Sequence, residues 1–264
     1  MPATAAIPKR PATVHEANEV LREARRRAAE LDSPARGVTI RLRAVMPVLS
    51  GTAVVVVLLS LIQDLLMFLV PEMGFDDRIY RLDLDTEASL PTWFSSTLML
   101  ICALALLAIT LRTIRSDRRK ALPWLLLTFM FFALSLDEIA MLHEGLSAIL
   151  SAQIDSTGIF HFAWAFPALV VCLAGLACFA PFILGFNGAD RVLLLGSAAI
   201  FLSGAVGVEM LGGAVAEAGG FATLEYRLLV TAEESLELAG LLVFLLFLLR
   251  RLRADQGRLT LYFK

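Results

Sequence analysis

Residues 45–70 read VMPVLSGTAVVVVLLSLIQDLLMFLV. A single charge, Asp64, interrupts a run longer than the roughly 20 apolar residues that cross a bilayer. Five more runs of that kind follow, at Thr92–Thr113, Ala121–Leu142, His161–Leu184, Val192–Val215 and Leu228–Leu249. Across the 264 residues, 58% are hydrophobic, and the mean hydropathy of +0.75 lies outside the soluble globular range. These runs predict an all-α fold, a six-span transmembrane helix bundle over residues 45–249. The first run begins behind a charged arm, too far in for a cleaved signal peptide. Cys102, Cys172 and Cys178 all fall inside predicted spans and match neither a C-x-x-C motif nor a zinc knuckle, so they read as small apolar packing residues.

Charge orients the bundle. With the N-terminus in the cytoplasm, all but three of the 23 basic residues (Arg78, Arg81 and Arg227) fall on that side. This is the positive-inside pattern, and it predicts that both termini are cytoplasmic. Trp93, Trp124 and Trp164 sit near span ends, as an interfacial aromatic belt would.

Outside the spans, residues 1–44 form a cytoplasmic arm and residues 250–264 a basic tail. Thr13 with Glu16 reads as a capping box, and Val14, Ala17, Leu21, Ala24, Ala28 and Leu31 recur at helical spacing beside Arg22, Arg25, Arg26 and Arg27. The reading is a short amphipathic helix, about 14–31, on the anionic cytoplasmic leaflet, or else a helix that contacts a partner. The outer loop carries Glu72, Asp76, Asp77, Asp83, Asp85 and Glu87, either as a solvated loop or as a funnel for cations. Membrane lipid is the expected surrounding, a homo-oligomer or a larger membrane complex is an open partner, and no nucleic-acid partner is expected.

The intramembrane acids are the functional signal. Asp64, Asp137, Glu138, Glu209, Glu233, Glu234 and Glu237 lie in the apolar runs, and no Lys or Arg is expected at comparable depth. A lipid-facing carboxylate costs about 2.5–3.5 kcal/mol, so the set would cost about 20 kcal/mol. That exceeds the roughly 5–15 kcal/mol that holds a typical domain together. They must face inward and be neutralised by protons, histidines or a cation. The predicted topology puts all of them, with His143, Glu144 and His161, in the outer half of the bilayer.

Helical geometry constrains how they meet. Asp137 and Glu144 lie within about 20° of one face. Glu138 is about 100° round from Asp137, and His143 about 120° the other way. Either span three serves two neighbours or its helix unwinds near His143. Glu233, Glu234 and Glu237 fit an arc of about 100° and can face one cavity. Span five is rich in small residues, and Glu209 shares a stripe with Ala205, Gly212 and Gly213, so it faces a close neighbour. Pro167 and Pro181 suggest a kink in span four.

Metal-ligand candidates are therefore His143, Glu144, His161, Glu209, Glu233, Glu234 and Glu237, with Asp137 or Glu138 as the general base. Two His with several carboxylates suit a divalent Zn, Mn or Fe ion, and an all-carboxylate subset would suit Ca or Mg. The Glu-x-x-His step of di-iron bundles is absent. Structural alternatives stand beside each: a proton-sharing seam for Glu233–Glu237, interfacial side chains for His143 and His161, and a hydrogen bond to a neighbouring helix for Asp64.

Ser135-Leu136-Asp137-Glu138 with His143-Glu144, then Gly204-Ala205, Gly207 and Glu209, then Glu233-Glu234, Glu237 and Gly240, resemble a group of uncharacterised bacterial membrane proteins with no established activity. The resemblance covers about the last half of the chain and implies the bacterial cytoplasmic (inner) membrane. Three functional readings follow from the residues. The first is a metal-dependent enzyme acting on a lipid-like or amphipathic substrate. The others are a non-catalytic subunit or pigment- or haem-binding protein, and a proton- or cation-coupled transporter.

Overall fold

The computed structural model describes residues 37–40, 42–70, 72–74, 77–256 and 259–262, with short pieces at 18–19 and 22–23. The amphipathic helix expected at about 14–31 otherwise lies outside the described residues. The chain forms two compact units, one of residues 41–258 and one of the chain ends, 1–40 and 259–264. In the second unit β1 (Gly37–Ile40) pairs antiparallel with β2 (Leu259–Tyr262), with Thr39 opposite Thr260. Apart from this short terminal ladder, the described residues are all-α, as the sequence predicts. Both segments are rich in β-branched and aromatic residues, which suit a pleated ribbon.

The larger unit is all-α. Its helices are α1 (Leu42–Leu69), α2 (Leu90–Ser116), α3 (Arg118–Ala140), α4 (Leu142–Ser151) and α5 (Ala165–Leu184). Then α6 (Gly188–Leu202) runs through a π-helical turn (Ser203–Val208) into α7 (Glu209–Gly219), and α8 spans Leu224–Gln256. Five helical stretches are long and apolar enough to cross a membrane: Val45–Leu69, Leu90–Ser116, Arg118–Ala140, Ala165–Leu184 and Gly188–Gly219. These mark a polytopic membrane protein. The sixth expected span lies within α8, where Glu233, Glu234 and Glu237 break the apolar run.

Local sequence explains the joints. Ser89 accepts a hydrogen bond from the Thr92 N–H and Pro91 sits in the first turn, so α2 begins there. Asp117 alone separates α2 from α3 and caps α3 by accepting from the Arg119 and Lys120 N–H groups. So short a joint folds α2 and α3 into an antiparallel hairpin, the most extensive helix pair of the unit. Hydroxyl pairs staple it, Ser96 to Ser135 at 3.0 Å and Thr110 to Thr128 at 3.2 Å. Pro167 falls in the first turn of α5, where a missing N–H costs little, so it starts the helix there.

α8 is the central helix and packs on α1, α2, α6, the π turn and α7. Two glycines set its approach. A Cβ on Gly240 would lie 2.6 Å from the Phe201 backbone nitrogen, and one on Gly204 would lie 2.6 Å from the Glu233 carbonyl oxygen. Only glycine lets these backbones touch. α5, by contrast, rests lightly on α6 and the π turn, with none of its most apolar window buried.

Candidate functional site

The third predicted span does not run straight through His143. Met141 adopts a left-handed conformation (φ 53°), ending α3 at Ala140 and starting α4 at Leu142. Of the two arrangements the helical geometry allowed, the chain unwinds. Asp137 bridges the break: one oxygen accepts the His143 N–H at 2.9 Å and the other lies 3.0 Å from His143 Nδ1. The Ser96–Ser135 staple fixes α3 two residues before Asp137.

This break swings His143 and Glu144 toward the loop before α2. Glu87, His143 and Glu144 each offer a ligand atom, and the three atoms lie within 4.8 Å of one another. Glu87 was not among the sequence candidates. Burial, reinforced by the carboxylates of Glu138, Glu144 and Asp137, pushes its pKa up to about 7, while His143 draws it down. A carboxyl that shares a proton so readily is suited to exchange it for a cation.

The remaining candidates form another wall of the same space. Glu209 follows the π turn directly and accepts a hydrogen bond from the Trp164 indole N–H at 3.2 Å. Pi turns recur at functional sites because they re-aim a helix face. Glu233, Glu234 and Glu237 come from α8, held against the π turn by the Gly204 contact. His161 lies before α5, not on it, because the helix begins only at Ala165. It packs on α7, where a Cβ on Gly213 would come within 3.2 Å of the His161 Cβ. Trp164 turns to Glu209, and Trp124 is buried among Phe182, Phe186 and Phe247. Trp124 is therefore a core side chain.

One cavity of about 1080 Å³ unites these groups. Asp137, Glu138, His143, Glu144, His161, Glu209, Glu233, Glu234 and Glu237 all line it, joined by Asp85 and Glu87 from the loop. The cavity continues as an apolar arm along α5, past Cys172, Gly175, Leu176, Phe179 and Phe182. Facing them are Phe131 of α3, Phe201 of α6 and Phe244 of α8. Over the acidic end, α4 presents Ser147, Ala148 and Ser151 to the cavity, while Leu142, Leu146 and Ile149 stay exposed.

Asp64 does not belong to this site. It is 1% exposed and accepts from Arg227 Nε at 3.0 Å. The same guanidinium, wholly buried, also donates to Asp85 at 2.8 Å and to Asp83, while Arg78 lies 3.1 Å from Asp83. The expectation that no base matches the buried acids is therefore corrected: Arg227 enters from the first turn of α8 and neutralises Asp64. Its long apolar stem allows a charge near a helix end to reach a neighbour. Tyr226 donates its hydroxyl to Asp85 at 2.9 Å. Burial raises the Asp85 pKa to about 6, against the pull of Arg227 and Tyr226. The loop is thus pinned to α1 and α8, which holds Glu87 two residues farther on.

Comparison with known proteins agrees in extent with this architecture. No curated protein and no solved structure matched the chain. A family model described as a domain of unknown function, DUF8692, matches residues 49–252, from α1 through α8 and including every residue of the cavity. The chain belongs to the DUF8692 family.

Proposed function

We propose that the protein is a metal-dependent membrane enzyme whose site opens toward the outer leaflet and takes a lipid-like or amphipathic substrate. The observation that carries this reading is the continuity of the cavity: a Glu87–His143–Glu144 ligand group at one end and a long apolar arm at the other. With Asp137 on His143 Nδ1, the other ring nitrogen is left for a metal, the carboxylate–histidine–metal arrangement common in such centres. One imidazole and two carboxylates suit a divalent Zn, Mn or Fe ion. The ion would polarise a substrate oxygen or activate water. Both oxygens of Asp137 are engaged by His143, so it acts as a positioning residue and Glu138 is the better general base. Glu209, Glu233, Glu234, Glu237 and His161 form the remaining polar wall.

In this reading α8 is the sixth span, both termini are cytoplasmic, and the Arg-rich arm rests on the anionic inner leaflet of a bacterial cytoplasmic membrane. The polar groups of the cavity then lie in the outer half. Toward the inner side the arm ends on an aromatic cluster in which Trp124 meets Phe182 at 4.9 Å and Phe186 at 5.8 Å. A plug of that kind favours a one-mouthed enzyme over a transporter, which needs a polar path to both faces.

Elemental mass spectrometry on detergent-purified protein tests the proposal. One ion per chain is expected, lost in His143→Ala and Glu144→Ala and kept in Glu234→Gln. Metal-free wild type that is folded, and stays metal-free after incubation with Zn, Mn and Fe, would rule it out.

A further inference from the structure

The polar end of the cavity has a charge bias that specifies the ligand more closely than "amphipathic". Asp85, Glu87 and Glu144 come from loop and α4, Asp137 and Glu138 from α3, Glu209 from α7, and three glutamates from α8. Two histidines accompany them, and no Lys or Arg is among the described residues that line the cavity. Arg227, which reaches the lining residue Asp85, is already committed to Asp64, Asp83 and Asp85. A phosphate, sulfate or carboxylate head placed among the glutamates of α7 and α8 would meet like charge, and away from the proposed ion it would find no Lys or Arg among the described lining residues. A single divalent ion at Glu87, His143 and Glu144 leaves the four glutamates of α7 and α8 without one.

We infer that the ligand is a cationic single-chain amphiphile, a long-chain amine or quaternary ammonium. Its head sits among Glu209, Glu233, Glu234 and Glu237, and its tail lies along α5. The inference rests on the enzyme reading for its assignment as substrate, but its binding does not depend on the metal. Length supports the tail. From Ala168 to Ile183, both lining residues, the arm follows about 22 Å of helix at 1.5 Å per residue. Shape supports it too: the arm is a slot between α5 and the bundle, lined by aromatic and aliphatic side chains, and wide enough at Gly175 that an added Cβ would meet nothing within 4 Å. These carboxylates are half-buried at the mouth of an apolar slot, which favours a cation over any neutral head, because charge pairing strengthens as water is excluded.

The test is binding to chelator-treated protein in nanodiscs of zwitterionic lipid, with empty nanodiscs as the blank and metal content measured on the same sample. The probes are hexadecyltrimethylammonium, octyltrimethylammonium and palmitate, each radiolabelled. Hexadecyltrimethylammonium is expected to bind at least about tenfold more tightly than palmitate. Glu233→Gln with Glu237→Gln should remove that preference. Gly175→Phe, which fills the arm and leaves the acids untouched, should weaken the long-chain cation more than the short one. Equal binding of cation and anion, preference for palmitate, or no binding above the blank would each overturn the inference. Because the metal is absent, such a failure is distinct from a failure to find metal in the untreated protein.

Discussion

Replacing Arg227 with Met should destabilise the protein far more than its position at a helix end suggests. The guanidinium is fully buried and donates to three carboxylates, those of Asp64, Asp83 and Asp85. Each charge-assisted bond taken alone is worth about 1.5–3 kcal/mol, but the sum overstates the loss because the orphaned acids can take up protons. Removing one member of a buried ion cluster costs about 3–5 kcal/mol, and this is the magnitude expected here, since Asp64 and Asp83 have almost no solvent to turn to. For a chain of this size that is a fall in Tm of roughly 6–20 °C. Thermal unfolding in mild detergent, followed by circular dichroism, measures it. A double-mutant cycle with Asp64→Asn should recover at least about 1 kcal/mol, because the second change removes the charge that the first stranded. A variant within about 1 kcal/mol of wild type, or additive effects with Asp64→Asn, would refute the ion cluster as the clamp between α1, the loop and α8.

Three further outcomes follow from particular contacts. Gly240→Leu should cost about 1–3 kcal/mol or abolish folding, because even a Cβ would lie 2.6 Å from the Phe201 nitrogen, whereas Gly175→Leu should be nearly neutral in the same thermal assay. Asp137→Asn should weaken zinc binding about 10–100-fold by isothermal titration while leaving Tm little changed, since it loosens His143 without touching the metal. Metal affinity should rise about tenfold per pH unit until Glu87 loses its proton near about 7 and then level off. Stability of the metal-free protein should run the other way. The raised carboxyl of Glu87 binds a proton in the folded chain that the unfolded chain has already released. Its contribution is present at low pH and is lost as pH rises through about 7, as a comparison of Tm at about pH 5 and pH 8 would show.

Much of the fold was legible because lipid imposes simple rules on sequence. Apolar runs of spanning length marked the helices, and a 3.6-residue period showed that Glu233, Glu234 and Glu237 share a face. The same arithmetic showed that His143 cannot join Asp137 on a straight helix, which left either a break or a span serving two neighbours. The break itself carried no Gly or Pro signal. It falls on Met141 and is tied by Asp137, a tertiary arrangement that no local propensity announces. Glu87 was hidden for a similar reason. It was one of several acids in a loop, and only the Arg227 cluster, which closes contacts more than 140 residues apart in sequence, brings that loop over the cavity. Arg227 itself read as an outside base because hydropathy ends a span at the charge, whereas α8 begins at Leu224 and carries the charge inward. His161 was placed on a helix because the apolar run includes it, yet a 3₁₀ turn at Gly158–Phe160 precedes it and the helix starts later.

The most direct measurement is anomalous diffraction at the zinc edge from crystals grown with zinc. The expected result is one peak within about 2.5 Å of oxygens of Glu87 and Glu144 and a ring nitrogen of His143. A peak instead among Glu209, Glu233, Glu234 and Glu237, or none at full zinc occupancy of the medium, would contradict the metal centre.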